Sequence, residues 1–476
     1  MKVYLVNMPF LDQEYVKFSE KWEYIEDEYI GINIIHHILE NSEYTVIENH
    51  EDSIKEMINE IGVTAPDIVM ISVMQTSALL TSKFIKNLRI NGYCGKIFIG
   101  GWFAKLSWKY IFENNWDVDY VCYTDAEGVL PEWIKNSEKN IMGLASKDNY
   151  KKQIELIKNN VKINNIWPSN YVTPKRQKGR KTYRLETSRG CPHASCTFCS
   201  LSCSDIIKEK WKPIPYDVIL SEIRSIYGQY DISRFSITDD DMLGPIEGAE
   251  NKAKEFCNAI KTLPFDIKFS TSISVRAATN VKILDYLQDC GLEQLGVGFE
   301  SVDEEQLKRY NKQQTLAENY MAAKNIVSRK INMIPGLITF DPFVTTEAVG
   351  KNLKFLFDNL KHYDLGKLTK RLHVITGTPI ANLVEREGLL VGDYLNYEYK
   401  FKYKETQKLY NELSKYTEMV TDLQKIANSK DDTVAKRIRE HHRNVANCII
   451  SGKQWEDFAK KEICEINKYL EVKLDV

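Results

Sequence analysis

Short apolar, β-branched runs alternate with segments of helical periodicity along the first 140 residues. The predicted strands are Lys2–Asn7, Thr45–Glu48, Asp67–Ser72, Lys96–Ile99 and Tyr120–Tyr123. Amphipathic segments such as Ile30–Glu40 and Ser77–Asn91 lie between them. This alternation predicts an α/β domain with a doubly wound parallel sheet that carries helices on both faces. Ligands of such sheets bind beyond the carboxyl ends of the strands.

A second series of strands and helices follows from residue 182 to about 391. Its predicted strands are Thr182–Thr187, Arg234–Thr238, Ile267–Ser272, Leu295–Phe299, Ile331–Thr339 and Lys370–Ile375. Each strand is followed by a helix-like segment. Six repeats are too few for a closed eight-stranded barrel, so the series predicts a partial (β/α)6 barrel, with active-site groups at the strand carboxyl ends.

The remaining segments have weaker patterns. Residues 141–181 are predicted as a linker, because Pro174–Lys181 is polar and basic. This stretch is interpreted as a solvated connector or as a contact for an acidic substrate segment. Residues 392–476 lose the strand signal, and Glu405–Ala427 and Thr433–Ile450 have helical character. We therefore expect a helical C-terminal region that either caps the barrel or contacts the substrate.

Composition narrows the class of protein. The chain has 476 residues, and 64 Lys and Arg stand against 66 Asp and Glu, for a net charge of -2. Such a balance argues against bulk electrostatic binding to nucleic acid or to a membrane surface. No apolar run approaches the ~20 residues of a membrane span, and the start of the chain lacks a signal-peptide pattern. We expect a cytoplasmic protein whose ten cysteines are reduced, so clustered cysteines indicate metal chemistry.

The strongest chemical signal is a loop of thirteen residues that holds four of the ten cysteines: Cys191, Cys196, Cys199 and Cys203. Zinc could take all four, but structural zinc sites usually pair two distant segments. A ferredoxin-like cluster also uses four thiolates, usually with proline after the last, whereas Pro192 follows the first here. The third interpretation is a [4Fe-4S] cluster held by three cysteines, with one iron left open. The position of the loop, directly after the first strand of the predicted barrel, favours this interpretation.

The run Arg189-Gly190-Cys191-Pro192 and the cysteines after it resemble the radical SAM superfamily, which holds its cluster on this loop. The family's commonest spacing is three residues and then two. In this chain four residues separate Cys191 from Cys196, and two separate Cys196 from Cys199. The resemblance implies these three cysteines as metal ligands, since Arg-Gly-Cys-Pro lies where the family's first ligand lies. Cys203 is then a bystander thiol and His193 a loop residue. The alternative register would use Cys196, Cys199 and Cys203.

The same resemblance implies S-adenosyl-L-methionine (SAM) at the open iron, with partners at the strand ends. An acidic turn would meet the methionine ammonium, an arginine could grip a carboxylate, a glutamate would accept the ribose hydroxyls, and an aromatic ring would shield the site. The residues implied in this way are Asp239, Asp240, Arg276, Glu300, Ser301 and Phe198. A solvated acidic turn and a surface arginine are the structural alternatives. Leu307–Lys312 resembles the helix and turn that follow in these enzymes.

The first domain resembles the Rossmann-like cobalamin-binding domain that precedes many radical SAM enzymes. Three loops at strand ends carry this resemblance, and a glycine pair there would let the backbone approach a bulky ring. The residues implied as cobalamin contacts are Gln75, Thr76, Ser77, Gly100, Gly101, Trp102, Asp125, Glu127 and Gly128. The Asp-x-His-x-x-Gly motif of other cobalamin proteins does not occur in the sequence, so no histidine of that motif would coordinate cobalt. The alternative is a domain that has lost the cofactor.

Taken together, the resemblance implies a cobalamin-dependent radical SAM methyltransferase. A 5′-deoxyadenosyl radical would take hydrogen from an unactivated carbon, which would then collect a methyl group from methylcobalamin. The partners would be a small-molecule or peptide substrate and an electron donor such as flavodoxin or ferredoxin. A rearrangement or cyclisation with the same cofactors is the second hypothesis. A non-catalytic iron-sulfur or zinc-binding protein is the third.

Overall fold

The computed structural model describes residues 1–8, 30–49, 53–135, 141–153, 181–203, 211–359, 365–421, 423 and 432–474. The strands are Lys2–Asn7 (β1), Thr45–Glu48 (β2), Ile68–Ser72 (β3), Lys96–Gly100 (β4), Tyr120–Cys122 (β5), Leu144–Ser146 (β6), Tyr183–Leu185 (β7), Ser188–Gly190 (β8), Trp211–Pro213 (β9), Arg234–Ile237 (β10), Lys268–Ile273 (β11), Leu292–Glu300 (β12), Asn332–Leu337 (β13), Leu390–Asp393 (β14) and Asn396–Tyr399 (β15).

The helices follow the same alternation. They are Ile30–Glu40 (α1), Ile54–Thr64 (α2), Ala78–Ile90 (α3), Trp102–Glu113 (α4), Ala126–Lys135 (α5), Tyr216–Tyr230 (α6), Ala249–Ile260 (α7), Val275–Ala278 (α8), Val281–Asp289 (α9), Glu304–Arg309 (α10), Leu316–Ser328 (α11), Thr346–Asn359 (α12), Pro379–Arg386 (α13), Lys404–Met419 (α14), Asp432–Ile450 (α15) and Glu456–Leu474 (α16). Within the described ranges, no helix combines the length and the apolar character needed to cross a bilayer. The basic stretch 174–180 lies outside the described residues.

The first sheet has the strand order β2-β1-β3-β4-β5-β6, and β1 to β5 are parallel. Val3 and Leu5 of β1 pack into one hydrophobic cluster, whereas Tyr4 and Val6 pack into another. Side chains alternate across a strand, so both faces of this strand are buried under helices, as in a doubly wound sheet. The predicted sheet is confirmed. Strand β6 is an addition: it pairs antiparallel with β5 and comes from the segment predicted as linker.

The second sheet is parallel throughout, in the order β13-β12-β11-β10-β7. One face is apolar and joins a single core with the helices that follow the strands, for example through Phe235 and Phe269. The predicted sixth strand at Lys370–Ile375 is wrong in extent, because only Arg371 pairs there, in an isolated parallel bridge with Phe340. The chain in this region leaves the sheet after one residue pair and continues through turns to α13.

The C-terminal region differs from the helical expectation at its start. β14 and β15 form an antiparallel hairpin. The tip of this hairpin reaches the first domain, where Gln75 Nε2 donates to the carbonyls of Tyr394 at 3.0 Å and Leu395 at 3.1 Å. Trp116 Nε1 also donates to the Tyr394 hydroxyl at 2.8 Å. The helices α14, α15 and α16 then contribute their apolar residues to the same core as the second sheet.

Candidate active site

The carboxyl ends of the first sheet and the cysteine loop face each other across a cavity of about 750 Å³. The first domain contributes strand-end residues from β3, β4 and β5 and the start of α1 and α5. The second sheet contributes the ends of β7 and β10, together with Arg189 and Gly190 just before the first cysteine. Apolar side chains such as Ile34, Met70 and Leu130 line one part of the wall, and charged groups line another. Both predicted cofactor regions therefore open onto one shared space.

The cysteine loop is shaped by its own backbone. Ala194 has a φ of 36°, in the left-handed region that residues other than glycine rarely adopt. This conformation accommodates the long spacing between Cys191 and Cys196. Backbone N–H groups of His193 and Ala194 point at the Cys191 sulfur, and that of Leu201 points at the Cys199 sulfur. Such donors stabilise negative charge, so the loop suits thiolate ligands.

The loop docks on the turn that follows α10. Thr197 N donates to the Tyr310 carbonyl at 3.0 Å, and Asn311 Nδ2 donates to the Ser195 carbonyl at 2.8 Å. The ring of Phe198 meets Tyr310 edge to face, with centroids 5.1 Å apart. In sequence, the cysteine loop and Leu307–Lys312 are related only by their order along the chain. In the structure they pack against each other.

Lys312 brings positive charge to the thiols. Burial raises the pKa of Cys196 to about 12, and the charge of Lys312 opposes this shift. Burial likewise raises the pKa values of Cys191 and Cys199, again with Lys312 opposing. Lys312 Nζ also lies 3.3 Å from Glu300 Oε1. A metal would therefore have to displace protons from buried thiols, and Lys312 favours that displacement.

Glycines on two neighbouring strands leave room for the side chain of Glu300. A Cβ on Gly298 would lie 2.6 Å from Glu300 Oε1 and 3.2 Å from Lys312 Nζ. Gly298 pairs with Gly336 on the next strand, and the register shifts between Gly298 and Glu300. Glu300 itself has a φ of 58°. The strand end is thus bent, and its glycines leave room above the sheet. The Glu300 carboxylate and the Lys312 ammonium occupy this room.

Three successive aspartates follow strand β10, and they differ in their surroundings. Asp239 is buried and accepts hydrogen bonds from Thr187 N at 2.8 Å and Ser188 Oγ at 2.7 Å. Burial raises its pKa to about 6. Asp240 is exposed and lines the cavity. Burial raises the pKa of Asp241 to about 7, against hydrogen bonds from the backbone of Leu243 and Gly244. The two aspartates predicted for SAM therefore differ in role. Asp239 holds the cysteine loop in place, and Asp240 is available to a ligand.

Comparison with known proteins identifies both halves of the site. Residues 28–134 match the B12 binding domain, and residues 185–356 match the radical SAM superfamily. The chain contains a B12-binding domain followed by a radical SAM domain. The resemblance drawn from the cysteine loop and the strand-end loops is confirmed. These domains imply a [4Fe-4S] cluster, SAM and cobalamin as cofactors.

One curated protein is similar to this chain in sequence. The 4'-phospho-dehydrooxetanocin synthase of Priestia megaterium is 23% identical over 349 residues, which are 67% of this chain and 46% of the relative. The match therefore spans just under half of that relative's length.

Two solved structures show the same fold. OxsB, a cobalamin-dependent SAM radical enzyme with aqua-cobalamin and SAM bound, covers 99% of this chain and 75% of its own, with a TM-score of 0.73 and 19% identity. TsrM, a radical SAM methyltransferase from Kitasatospora setae with tryptophan and a SAM analog bound, covers 75% of this chain and 71% of its own, with a TM-score of 0.57 and 15% identity.

The cysteines fit an open-iron cluster in their donor chemistry. Among the described residues, no group of three or more His, Cys, Asp or Glu side chains is arranged to hold a metal ion. The ligands of a [4Fe-4S] cluster bind different irons, so they need not converge on one point. His193 Nε2 lies 2.7 Å from the Asn311 carbonyl, which fits its predicted role as a loop residue. Cys191, Cys196 and Cys199 as ligands remain a prediction.

Two of the residues implied for SAM have other partners in the radical SAM domain. Arg276 is exposed, and its Nε lies 3.5 Å from Glu318 Oε1. Ser301 is fully buried and donates to Gln306 Oε1 at 2.7 Å. Neither lines the cavity between the domains. For Ser301 the strand-end position is misleading, because the bend at Glu300 turns the chain back into the core.

The residues implied for cobalamin divide into two groups. Five line the cavity: Gly100, Gly101, Trp102, Asp125 and Glu127. Gly101 has a φ of 90°, and a Cβ there would lie 2.7 Å from the Val73 carbonyl oxygen, so the position requires glycine. The glycine pair and the apolar wall suit a large planar ring. The other four, Gln75, Thr76, Ser77 and Gly128, do not line it.

Two of the residues outside the cavity, Gln75 and Ser77, have other partners. Gln75 binds the hairpin tip, as described above. Ser77 is buried, and Met74 N donates to its hydroxyl at 3.1 Å. The Ser77 hydroxyl thus serves the turn between β3 and α3, whereas the Gln75 side chain joins the first domain to the hairpin. Sequence reasoning missed Arg189 as a site residue, although it directly precedes Gly190 and the first cysteine. Its guanidinium contacts residues of both domains.

Proposed function

We propose that this protein is a cobalamin-dependent radical SAM enzyme that acts on a small molecule and rearranges or cyclises it. The observation that carries the proposal is the single cavity shared by the cysteine loop and the strand ends of the B12-binding domain. A substrate in this space would lie between both cofactors, as radical chemistry at an unreactive carbon requires. Bound together, the cofactors supply one-electron cleavage of SAM and hydrogen abstraction beside a cobalt centre.

The residues of the chain have distinct tasks in this proposal. Cys191, Cys196 and Cys199 would hold the cluster, with Lys312 compensating their charge. Asp240 would meet the ammonium of SAM from its exposed position on the cavity wall. The cobalamin edge would lie along Gly100–Trp102. The apolar wall and the Phe198–Tyr310 contact would keep water away from reactive intermediates.

Rearrangement rather than methylation is supported by the pattern of likeness. OxsB resembles this chain over 99% of its length, and the relative from Priestia megaterium is named as a synthase, without reference to methyl transfer. Methylation, the leading hypothesis from the sequence, is not confirmed. It stays the second candidate, because the TsrM methyltransferase shares the fold over 75% of the chain. In either case an external one-electron donor, such as a flavodoxin or ferredoxin, would serve the cluster.

Anaerobic reconstitution tests the proposed class of enzyme. The protein is loaded with iron, sulfide and hydroxocobalamin, reduced with dithionite, and given SAM. We expect iron and cobalt uptake and release of 5′-deoxyadenosine, and a Cys196→Ala variant serves as the control without a complete cluster. A loaded wild-type protein that releases no 5′-deoxyadenosine would contradict the proposal and favour a non-catalytic binding protein.

The type of reaction is tested separately with candidate substrates. SAM carrying a trideuterated methyl group gives a mass increase only in a methylated product. A converted product without the label supports rearrangement or cyclisation. A product that carries the label shows methyl transfer and overturns this part of the proposal.

A further inference from the structure

Arg189 is held by two carboxylates that come from different domains. Its Nε lies 3.2 and 3.1 Å from the two carboxylate oxygens of Glu186, and its Nη2 donates to Glu186 Oε2 at 2.8 Å. Its remaining terminal nitrogen, Nη1, lies 2.6 Å from Glu127 Oε1. Glu186 follows β7 of the radical SAM domain, whereas Glu127 lies in the first turn of α5 in the B12-binding domain. One guanidinium thus joins the two domains.

This contact lies between the two predicted cofactor regions. Arg189 is the middle residue of β8, and Gly190 and Cys191 follow it directly. Glu127 is two residues from Asp125, and both line the cavity together with Arg189. A displacement of the Arg189 backbone would therefore move the first predicted cluster ligand, and a displacement of α5 would move the wall of the predicted cobalamin site.

The three groups are buried enough for their charges to matter. The exposed fractions of the side chains are 6% for Glu127, 21% for Arg189 and 25% for Glu186. Burial raises the pKa of Glu127, and the charge of Arg189 opposes the shift. Glu127 Oε1 has no well-aligned hydrogen bond to any described residue, so its ion pair with Arg189 is its main compensation. Removing one partner of such a pair leaves a poorly solvated charge.

Arginine is the residue type that this arrangement requires. Its planar guanidinium can bind Glu186 with one edge and Glu127 with the remaining nitrogen, in a fixed relative orientation. A lysine ammonium is a point charge without that geometry. These four contacts together therefore define the orientation between α5 and β8, rather than only an attraction between the domains.

We propose that Glu127 and Glu186 are positioning residues that act through Arg189, and that together they fix the cysteine loop against the B12-binding domain. This inference rests on the proposed function, since it assigns the spacing of the cluster and cobalamin to this ion-pair network. Glu127 then has no need to contact cobalamin itself, contrary to the expectation from the sequence.

The test compares Glu127→Gln, Glu186→Gln and Arg189→Met with wild type. Asp285→Asn is the matched control, because it breaks another carboxylate–arginine pair, with Arg329 Nε at 2.6 Å, that lies within the radical SAM domain. Each protein is loaded with iron, sulfide and hydroxocobalamin and reduced with dithionite, which leaves the corrinoid as cob(II)alamin. The readouts are iron content, hydroxocobalamin affinity, and the relaxation enhancement that the reduced cluster imposes on the cob(II)alamin electron paramagnetic resonance signal.

We expect the Glu127 and Glu186 variants to retain iron and to lose much of the relaxation enhancement, whereas Asp285→Asn keeps it. In the Arg189→Met background, Glu127→Gln should cause no further loss. An unchanged signal in Glu127→Gln at full loading would overturn the inference. The inference would also be overturned if Glu127→Gln lowered hydroxocobalamin affinity by the same factor in wild type and in Arg189→Met. That result would show that Glu127 contacts the corrinoid directly.

Two further outcomes are separated by design. Where Arg189→Met does not fold, the two glutamate variants decide: a loss of enhancement in both supports the inference, and a loss in neither overturns it. Failure of the proposed function is seen in wild type alone, as absence of loading or of 5′-deoxyadenosine. Failure of the positioning role requires a wild type that loads and reacts.

Discussion

Lys312 and Glu300 form an ion pair of 3.3 Å at the bent end of β12, beneath the cysteine loop. The pKa of Lys312 is raised, since burial, which lowers it, is outweighed mainly by the charge of Glu300. The ammonium is therefore charged in the folded protein. It is also close enough to influence all three predicted ligand cysteines.

A change of Lys312 to Met should lower the reduction potential of the cluster. Reduction adds negative charge, and removal of a nearby, poorly solvated positive charge disfavours it by on the order of tens of millivolts. Glu300→Gln should shift the potential in the opposite direction. Spectroelectrochemical titration of the reconstituted protein measures both shifts.

Lys308→Met is the control for this prediction, because Lys308 lies on the exposed side of α10. The reduction potential of the cluster in Lys308→Met should equal that of wild type. Equal shifts in the Lys312 and Lys308 variants would show a general charge effect and would contradict a specific role for Lys312.

The choice among the four cysteines is also testable. Cys203 Sγ lies 3.9 Å from the Cys199 carbonyl, so it is turned back onto its own helical turn. We expect Cys203→Ala to retain the iron content of wild type, and the alanine variants of Cys191, Cys196 and Cys199 each to lose the cluster. Iron analysis and the visible absorption band measure this. Loss of iron in Cys203→Ala together with retention in Cys191→Ala would establish the alternative register.

Gln75 provides a prediction on which sequence and structure differ. Its side chain donates to two carbonyls of the hairpin tip, so Gln75→Ala should lower the free energy of unfolding by about 1–3 kcal/mol. Hydroxocobalamin affinity should stay close to that of wild type. Urea unfolding and a spectroscopic titration provide the two measurements. The neighbouring variant Thr76→Ala, which leaves both bonds in place, is the control, and a large loss of affinity in Gln75→Ala alone would restore its role as a cobalamin contact.

These outcomes show which properties local sequence determines. The parallel strands of both sheets are predicted because their side-chain periodicity is local, whereas the antiparallel β6 is not predicted. The cysteine loop is recognised because its candidate ligands lie within one short run. The hairpin contact with Gln75 joins residues 319 and 320 positions apart and has no local pattern. The ion pair between Glu127 and Arg189 also joins residues that are far apart in sequence and has no local pattern.

Ser301 and the sixth strand illustrate a different limit. A serine at a strand end has the same appearance in sequence whether its hydroxyl meets a ligand or, as here, Gln306 in the core. The segment Lys370–Ile375 is predicted as a strand, but its one pairing with the sheet is the bridge between Arg371 and Phe340. Tertiary pairing, rather than propensity, decides both cases.

The C-terminal helices contain a pair of buried histidines that should make them sensitive to acid. His441 and His442 of α15 are almost fully buried, and burial lowers their pKa values to about 4 and about 3. His442 Nδ1 lies 2.6 Å from the Tyr416 hydroxyl, and His441 Nδ1 lies 3.9 Å from Glu462. The unfolded chain binds protons at these sites from about pH 6.5 downwards, whereas the folded chain does not until much lower pH.

Stability of this region should therefore fall as the pH is lowered from 7 to 5, by about 2 kcal/mol for each histidine. Buried carboxyls with raised pKa values, such as Asp239 and Asp241, act in the opposite direction, so the comparison must isolate the histidines. The double variant His441→Gln, His442→Gln serves this purpose, since glutamine is polar and does not titrate. Hydrogen–deuterium exchange of α15 and α16 peptides should accelerate between pH 7 and 5 in wild type, after correction for intrinsic rates, and much less in the variant. The same pH dependence in both proteins would show that other groups control the acid response.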